Sequence, residues 1–339
     1  MTKKQYPSNN MEGILMSEEE AMEILRNCSA YDKYLSLTKE LQQEVSDFIQ
    51  GKKGLKIAYD PFFKHIFDPE LHGDRLERLL TCLIGQEVKV KQVLPTESKR
   101  LTAESSLLIM DILVEFASGA LGNVEIQKIG YDFPGERSAC YSADLLVRQY
   151  YRMKSRSKEE KKEFLYRDLQ KVYTIVLFET SPGEFHRVKG QYIHRASQKF
   201  DTGLEIDLLQ EYIFVALDIF HEIVQTIDTE LDVWLHFLSS NDPLIIGKII
   251  EACPAFRKIY REISEFQRKP EELIGMYNEA LAMLDKNTVD YMIERQQKEI
   301  ERLKEESMAH KEESKQQALE LRKKDEELER LRKKLSLTE

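Results

Sequence analysis

Only four cysteines occur in 339 residues, Cys28, Cys82, Cys140 and Cys253, and none forms a C-x-x-C pair or stands at ligand spacing from a histidine. That excludes a disulfide framework and a structural zinc site, and leaves each thiol as a small apolar residue. No uninterrupted apolar run is long enough to span a bilayer. The N-terminal MTKKQYPSNNMEG has no apolar segment behind its charges, so no secretory signal is predicted and a cytoplasmic location is expected. An excess of basic residues is also absent: 50 Lys and Arg stand against 60 Asp and Glu, a net charge of −10. This argues against a surface coated for nucleic-acid binding but is compatible with a local basic groove. The one tryptophan, Trp234, lies in DVWLHFL and reads as a core anchor rather than a base-stacking residue.

What is present is an ordinary apolar content of 42%, sufficient for a sizeable core in one large or two smaller domains. Ser17 and Glu20 have the spacing of a capping box and predict a short helix to about Asn27. A second helix follows Thr38 and stops at Gly51. In Tyr59-Asp60-Pro61-Phe62-Phe63-Lys64-His65-Ile66-Phe67, Pro61 suits a first helical turn and Asp60 reads locally as its N-cap. A Leu-rich helix is expected from about Asp74 to Gly85, then a strand through Val88 and Val90, then a loop from Pro95 to Ser105. Arg137 to Arg152 predicts a helix, followed by a charged, solvated segment. Val172 to Phe178 reads as a strand buried on both faces. Ile206 to Leu209 and Tyr212 to Leu217 read as further strands, and the chain turns helical from Asp218. The order predicts an α/β sandwich with a mixed sheet.

Four segments are expected: a helical extension over 1–55, an α/β domain over 56–240, a small helical region over 241–289, and a charged helix over 290–339. The last has no Gly or Pro, and Ile293, Ile300, Ser307, Ser314, Leu321, Leu328 and Leu335 recur every seven residues. Leu303 and Leu331 fit a second seam position, which His310, Gln317 and Lys324 fill between them. A coiled coil joining two copies and a long solvated helix both fit this pattern.

The most informative stretch is Leu107 to Lys128. It reads as a hairpin, with a turn over Ser118 to Asn123 and a second strand over Val124 to Gln127. Side chains alternate between faces in a strand, so Leu108, Met110, Ile112, Val114 and Phe116 share one face with Val124 and Ile126. Asp111 then projects on the same side as Glu125 and Gln127. A carboxylate in an apolar strand is costly unless paired or bound to metal, and two on one face can hold a divalent cation. A solvated sheet face gives the same alternation, so the hairpin alone leaves both readings open.

YDPFFKHIF, the Leu-rich helix, LLIMDILVEF and NVEIQ, in that order, resemble the PD-(D/E)XK nuclease family transposases, relatives of the recombination-promoting nucleases of bacteria. Arg137, Tyr141 and Gln149 keep the spacing of that family's next helix. Tyr166 and Leu169 precede the buried strand as they do there, and Val233 to Leu238 resembles its W-x-x-F-L helix. The resemblance covers about Tyr59 to Ser240. It implies a restriction-endonuclease-like mixed central sheet flanked by helices. It further implies a DNA endonuclease linked to transposition or recombination, with Asp111, Glu125 and the Ile126 carbonyl binding Mg²⁺ or Mn²⁺. Asp60 matches an acidic residue that can join the metal site. Gln127 stands where the wider superfamily has lysine; it can hold an attacking water but carries no charge. Lys128 falls on the other face, and Lys64 is a candidate for the displaced cation. The alternative is a weak or inactive DNA-binding scaffold that self-associates through its terminal helix. Strand transfer of the RNase H-like type needs a third carboxylate well downstream, and no residue is singled out for it.

Overall fold

A computed structural model describes residues 15–94, 111–129, 134–282 and a few positions between 300 and 324. The chain divides into two compact units, Met1–Leu284 and Asp285–Glu339. In the second unit Ile300, Leu303 and Met308 are helical and exposed; most of the heptad positions lie outside the described residues, as do Leu107 to Met110 of the hairpin. Among the described residues no helix is long and apolar enough to cross a membrane.

The first unit begins with helices whose ends follow local chemistry. In α1 (Glu18–Asn27) the Glu20 N–H donates to Ser17 Oγ and the Ser17 N–H donates back to Glu20, the expected capping box. A short helix, α2 (Tyr31–Ser36), follows, and α3 (Lys39–Ile49) starts on a Thr38 cap. The helix α4 (Asp60–Ile66) is capped by Tyr59, so Asp60 is the first helical residue and its carboxylate caps nothing. This corrects the N-cap reading: Pro61 occupies the second helical position, still within the first turn that tolerates it. The next helix, α5 (Pro69–Ile84), begins five residues before the expected Asp74, because Asp68 accepts from the Glu70 and Leu71 N–H groups and a kink at His72 joins two helical pieces. Gly85 ends it at φ +81°.

Six strands follow: β1 (Val90–Val93), β2 (Ile112–Phe116), β3 (Leu121–Ile129), β4 (Val172–Thr180), β5 (Ile193–Ser197) and β6 (Gln210–Ala216). They form one mixed sheet in the order β1-β2-β3-β4-β6-β5. The β2–β3 hairpin is antiparallel, with Ile112 opposite Val124. Its turn is tighter than expected: Gly119 takes φ +88°, the Phe116 N–H donates to Ala120 O, and β3 starts at Leu121 rather than Val124. Strand β4 runs parallel to β3, and the crossover is the 26-residue helix α6 (Pro134–Glu159). The expected strand at Ile206 to Leu209 is absent; Ile206 and Leu208 are exposed in irregular backbone. Instead β5, a polar segment, pairs at the edge beside β6. Helices α7 (Leu217–Ile223), α8 (Glu230–Ser239), α9 (Pro243–Ala252) and α10 (Phe256–Ser264) follow, and 270–282 is helical.

Period-2 alternation sorts the sheet into two faces. Ile112, Val114, Phe116, Val124 and Ile126 join Ile175 and Leu177 in the main core, which is closed by helices from both ends of this unit. Leu113, Leu121 and Val172 pack on Tyr141 and Leu145 of α6 on the other face. Helix α4 is seated in the main core by aromatic rings. Phe67 lies 5.6 Å from Trp234, and Phe62 lies 5.0 Å from Tyr277 and 6.4 Å from Phe266. Full burial of each such ring contributes roughly 2–3 kcal/mol. The seat fixes how α4 presents Asp60 and Lys64 to the sheet.

Candidate active site

Strand β3 carries three polar residues on the α6 face at successive period-2 positions, Asn123, Glu125 and Gln127. Asn123 and Glu125 are buried and Gln127 is half-buried. Asp111 immediately precedes β2 and meets Glu125 across the hairpin. The Asp111 N–H donates to Glu125 Oε1 at 3.1 Å, and the Ile126 N–H donates to Asp111 Oδ2 at 3.0 Å. Asn123 Nδ2 donates to Glu125 Oε1 at 2.8 Å. Within a strand a residue's N–H and C=O point to the same edge, so the Ile126 carbonyl faces the Asp111 side while its side chain lies in the main core.

Helix α4 supplies the rest. Lys64 Nζ lies 2.9 Å from Asp60 Oδ2, one helical turn back, and 3.2 Å from Asp111 Oδ1. The structure therefore brings Asp60 and Asp111 onto one ammonium, with Glu125 joined to Asp111 through the hairpin. Gln127 lies one step further along the same strand face, opposite Phe178 of β4. Lys128 is on the other face, where its Nζ lies 2.9 Å from the Tyr59 hydroxyl.

The electrostatics follow from that crowding. Burial first, and then the Asp111 charge, push the Asp60 carboxyl up to about 7. Burial, reinforced by Asp111, also holds Glu125 well above the ordinary carboxylate range. Burial pulls the Lys64 ammonium down, but the Asp111 and Asp60 carboxylates outweigh it and the net shift is upward. From α6, Arg137 Nε donates to the Tyr141 hydroxyl at 3.1 Å. Burial and the Glu125 charge both disfavour ionisation of that hydroxyl.

The residues fit a divalent cation. Asp60 and Asp111 share the Lys64 ammonium, and Glu125 is buried beside Asp111 with the Arg137 charge acting on it from α6. Asp60 Oδ1 and Asn123 Oδ1 are buried with no hydrogen-bond partner. Among the described residues no three His, Cys, Asp or Glu side chains are arranged as a ready metal cluster. Two carboxylates completed by a main-chain carbonyl and waters are instead the donor set that hard Mg²⁺ accepts.

The family described as PD-(D/E)XK nuclease family transposase matches over residues 58–291. The chain belongs to that family. Its mixed sheet with flanking helices is the restriction-endonuclease-like α/β architecture. PD-(D/E)XK nucleases generally use divalent metal ions and act on DNA, which places this chain in a nuclease and transposition class. No curated protein and no solved structure gives a significant match.

Asn123 went unrecognised in the sequence because the two glycines beside it, Gly119 and Gly122, draw the predicted turn over it. Its signal was the period of two with Glu125. Lys64, the sequence's candidate for the displaced cation, lies on Asp60 and Asp111.

Proposed function

We propose that the chain is a metal-dependent DNA endonuclease that hydrolyses phosphodiester bonds in transposition or recombination. The observation that supports it best is the convergence of Asp60 and Asp111 on Lys64, with Asp111 joined to Glu125 through the hairpin. In this reading Asp111, Glu125 and the Ile126 carbonyl hold Mg²⁺, or Mn²⁺ in its place, and Asp60 completes the acidic rim. When bound, such an ion acidifies water and adds positive charge beside the phosphate oxygens. Asn123 holds the Glu125 carboxylate in its rotamer. Gln127 orients the attacking water through its amide. Lys64 supplies the fixed positive charge that Gln127 lacks, aimed from α4 rather than from β3. It also keeps Asp60 and Asp111 side by side. Lys128 is excluded from this role by its face of the strand.

The test is nicking of supercoiled plasmid in Mg²⁺ by the full chain. The wild type should nick, and Asp111→Ala with Glu125→Ala should not; full activity in that double variant would sink the assignment. The second reading, a DNA-binding scaffold with little activity, is favoured by one observation: Lys64 already neutralises part of the acidic pair. Retention of plasmid without nicking across Mg²⁺, Mn²⁺ and Ca²⁺ would support it.

A further inference from the structure

Helix α6 is buried through its middle and exposed over its last turns. Gln149 Nε2 donates to Gly119 O at 3.0 Å and ties the helix to the β2–β3 turn. Beyond that tie four aromatic rings from two segments gather at the surface. Phe164 stands edge-on to Tyr150 at 5.3 Å and to Tyr166 at 5.4 Å. Tyr150 and Tyr166 lie nearly parallel, their rings 6.1 Å apart and 21° from coplanar. Tyr151 and Tyr166 are 60% and 74% exposed.

The charge around these rings opposes that of the molecule. From Arg148 to Lys171 there are nine Lys and Arg and four Asp and Glu, in a chain of net charge −10. Lys154 Nζ lies 3.1 Å from the Tyr150 hydroxyl. Lys158, Lys161 and Arg167 are exposed and make no ion pair among the described residues. Protein interfaces are depleted of charge at their centre. Open rings interleaved with unpaired cations instead suit a polyanion that also offers flat, unstacked bases. The face lies about 15 Å along α6 from Tyr141, which packs on Leu113 and Leu121 of the hairpin that carries Glu125. A few nucleotides cover that distance.

We propose that the end of α6, with Phe164 and Tyr166, is a stacking platform for single-stranded DNA, so that the substrate carries an unpaired stretch beside the cut. The cutting step rests on the nuclease reading above, whereas binding to the platform is measured independently of it. Tyr151 and Tyr166 stack on bases, and Lys158 and Arg167 meet the phosphates.

The experiment uses the full chain in EDTA, with fluorescein-labelled oligo(dT) of about 20 nucleotides, longer than one stacking site of this kind requires, and a duplex of equal length. Anisotropy should show oligo(dT) bound more tightly than duplex. Tyr151→Ala with Tyr166→Ala should weaken oligo(dT) by at least about tenfold and leave duplex affinity unchanged, while the paired Phe variants retain binding. Lys158→Glu with Arg167→Glu should lower the slope of log affinity against log salt by about 1.4, at roughly 0.7 per lost single-strand phosphate contact. Because both tyrosines are exposed, matching unfolding midpoints of wild type and variants would confirm that the fold is intact. Equal oligo(dT) affinity with and without the rings overturns the proposal, as does absence of oligo(dT) binding by the wild type. A smaller species in sedimentation for the Ala variant, with oligo(dT) affinity unchanged, would make the face an interface between copies and also overturn it. Ring-dependent oligo(dT) binding without any Mg²⁺-dependent nicking would support the platform and count against the nuclease reading alone.

Discussion

Lys64 is the residue that two carboxylates, Asp60 and Asp111, share. Removing its charge leaves Asp60 and Asp111 facing each other with no cation between them. Lys64→Met is expected to lower the plasmid-nicking rate by about a hundredfold, comparable to losing one preorganised charge-stabilising donor. Lys64→Arg should recover part of that rate, because the charge returns with a different reach. The same crowding predicts how metal affects stability. Mg²⁺ that binds the folded chain should raise its unfolding midpoint in proportion to the logarithm of concentration. Asp111→Asn with Glu125→Gln should abolish the rise; a thermal scan with and without 10 mM Mg²⁺, a concentration of about the order needed to saturate a weak site, checks this.

Glu115 shows the opposite electrostatic outcome. It is buried on β2, where burial works to raise its carboxyl. Hydrogen bonds from Arg156, Gln92, Arg152 and Lys91 outweigh that and hold it down at about 2. A carboxyl lowered in the folded state stabilises fully above its unfolded value near 4.5 and loses that contribution as pH falls towards 2. Glu115→Gln is therefore expected to cost roughly 1–3 kcal/mol at neutral pH, reduced by the solvent exposure of the arginine heads. The difference from wild type should shrink in urea titrations between pH 4.5 and 2.

At the scale of elements, α4 acts as a bracket whose buried face is aromatic and whose other face carries Asp60 and Lys64. Phe63 is fully buried and its ring lies 4.9 Å from that of Phe67. Phe63→Ala should destabilise the fold by about 3–5 kcal/mol. It should also weaken nicking at temperatures where the variant is still folded, because the helix that aims Lys64 loosens. Circular dichroism and the plasmid assay separate the two effects.

The same scale explains what the sequence revealed. The alternation in ILVEF and VEIQ placed Asp111, Glu125 and Gln127 on one face, and the structure has them on that face. Helices with chemical end signals, such as Ser17, Thr38 and Gly85, were legible because a cap is a local interaction. Strand β5 was not, since IHRAS at a sheet edge needs no apolar alternation. Ile206 to Leu209 misled for the converse reason: Ile206 and Leu208 are apolar yet stay exposed in irregular backbone ahead of β6. The meeting of Lys64 with Asp111 joins a helix to a strand 47 positions away, and no local pattern encodes it.

For the whole molecule, the two compact units predict separable behaviour. A chain ending at Leu284 should keep the unfolding midpoint and nicking activity of the full chain. If 290–339 pairs two copies, as its heptads suggest, the full chain should sediment as a dimer and the shortened one as a monomer. Identical sizes would remove the self-assembly role.

The seat of α4 has a consequence for synthesis. Phe62 packs on Phe266 and Tyr277, so the bracket leaves the ribosome about two hundred residues ahead of the surface that receives it. At roughly 5–20 residues per second, that delay is on the order of ten seconds or more. Throughout it, Asp111 and Glu125 can meet on the finished hairpin while Asp60 and Lys64 have no fixed place. A nascent chain is thus without its complete acidic cluster until nearly all of the first unit has emerged, so a potential DNA-cutting centre is assembled last.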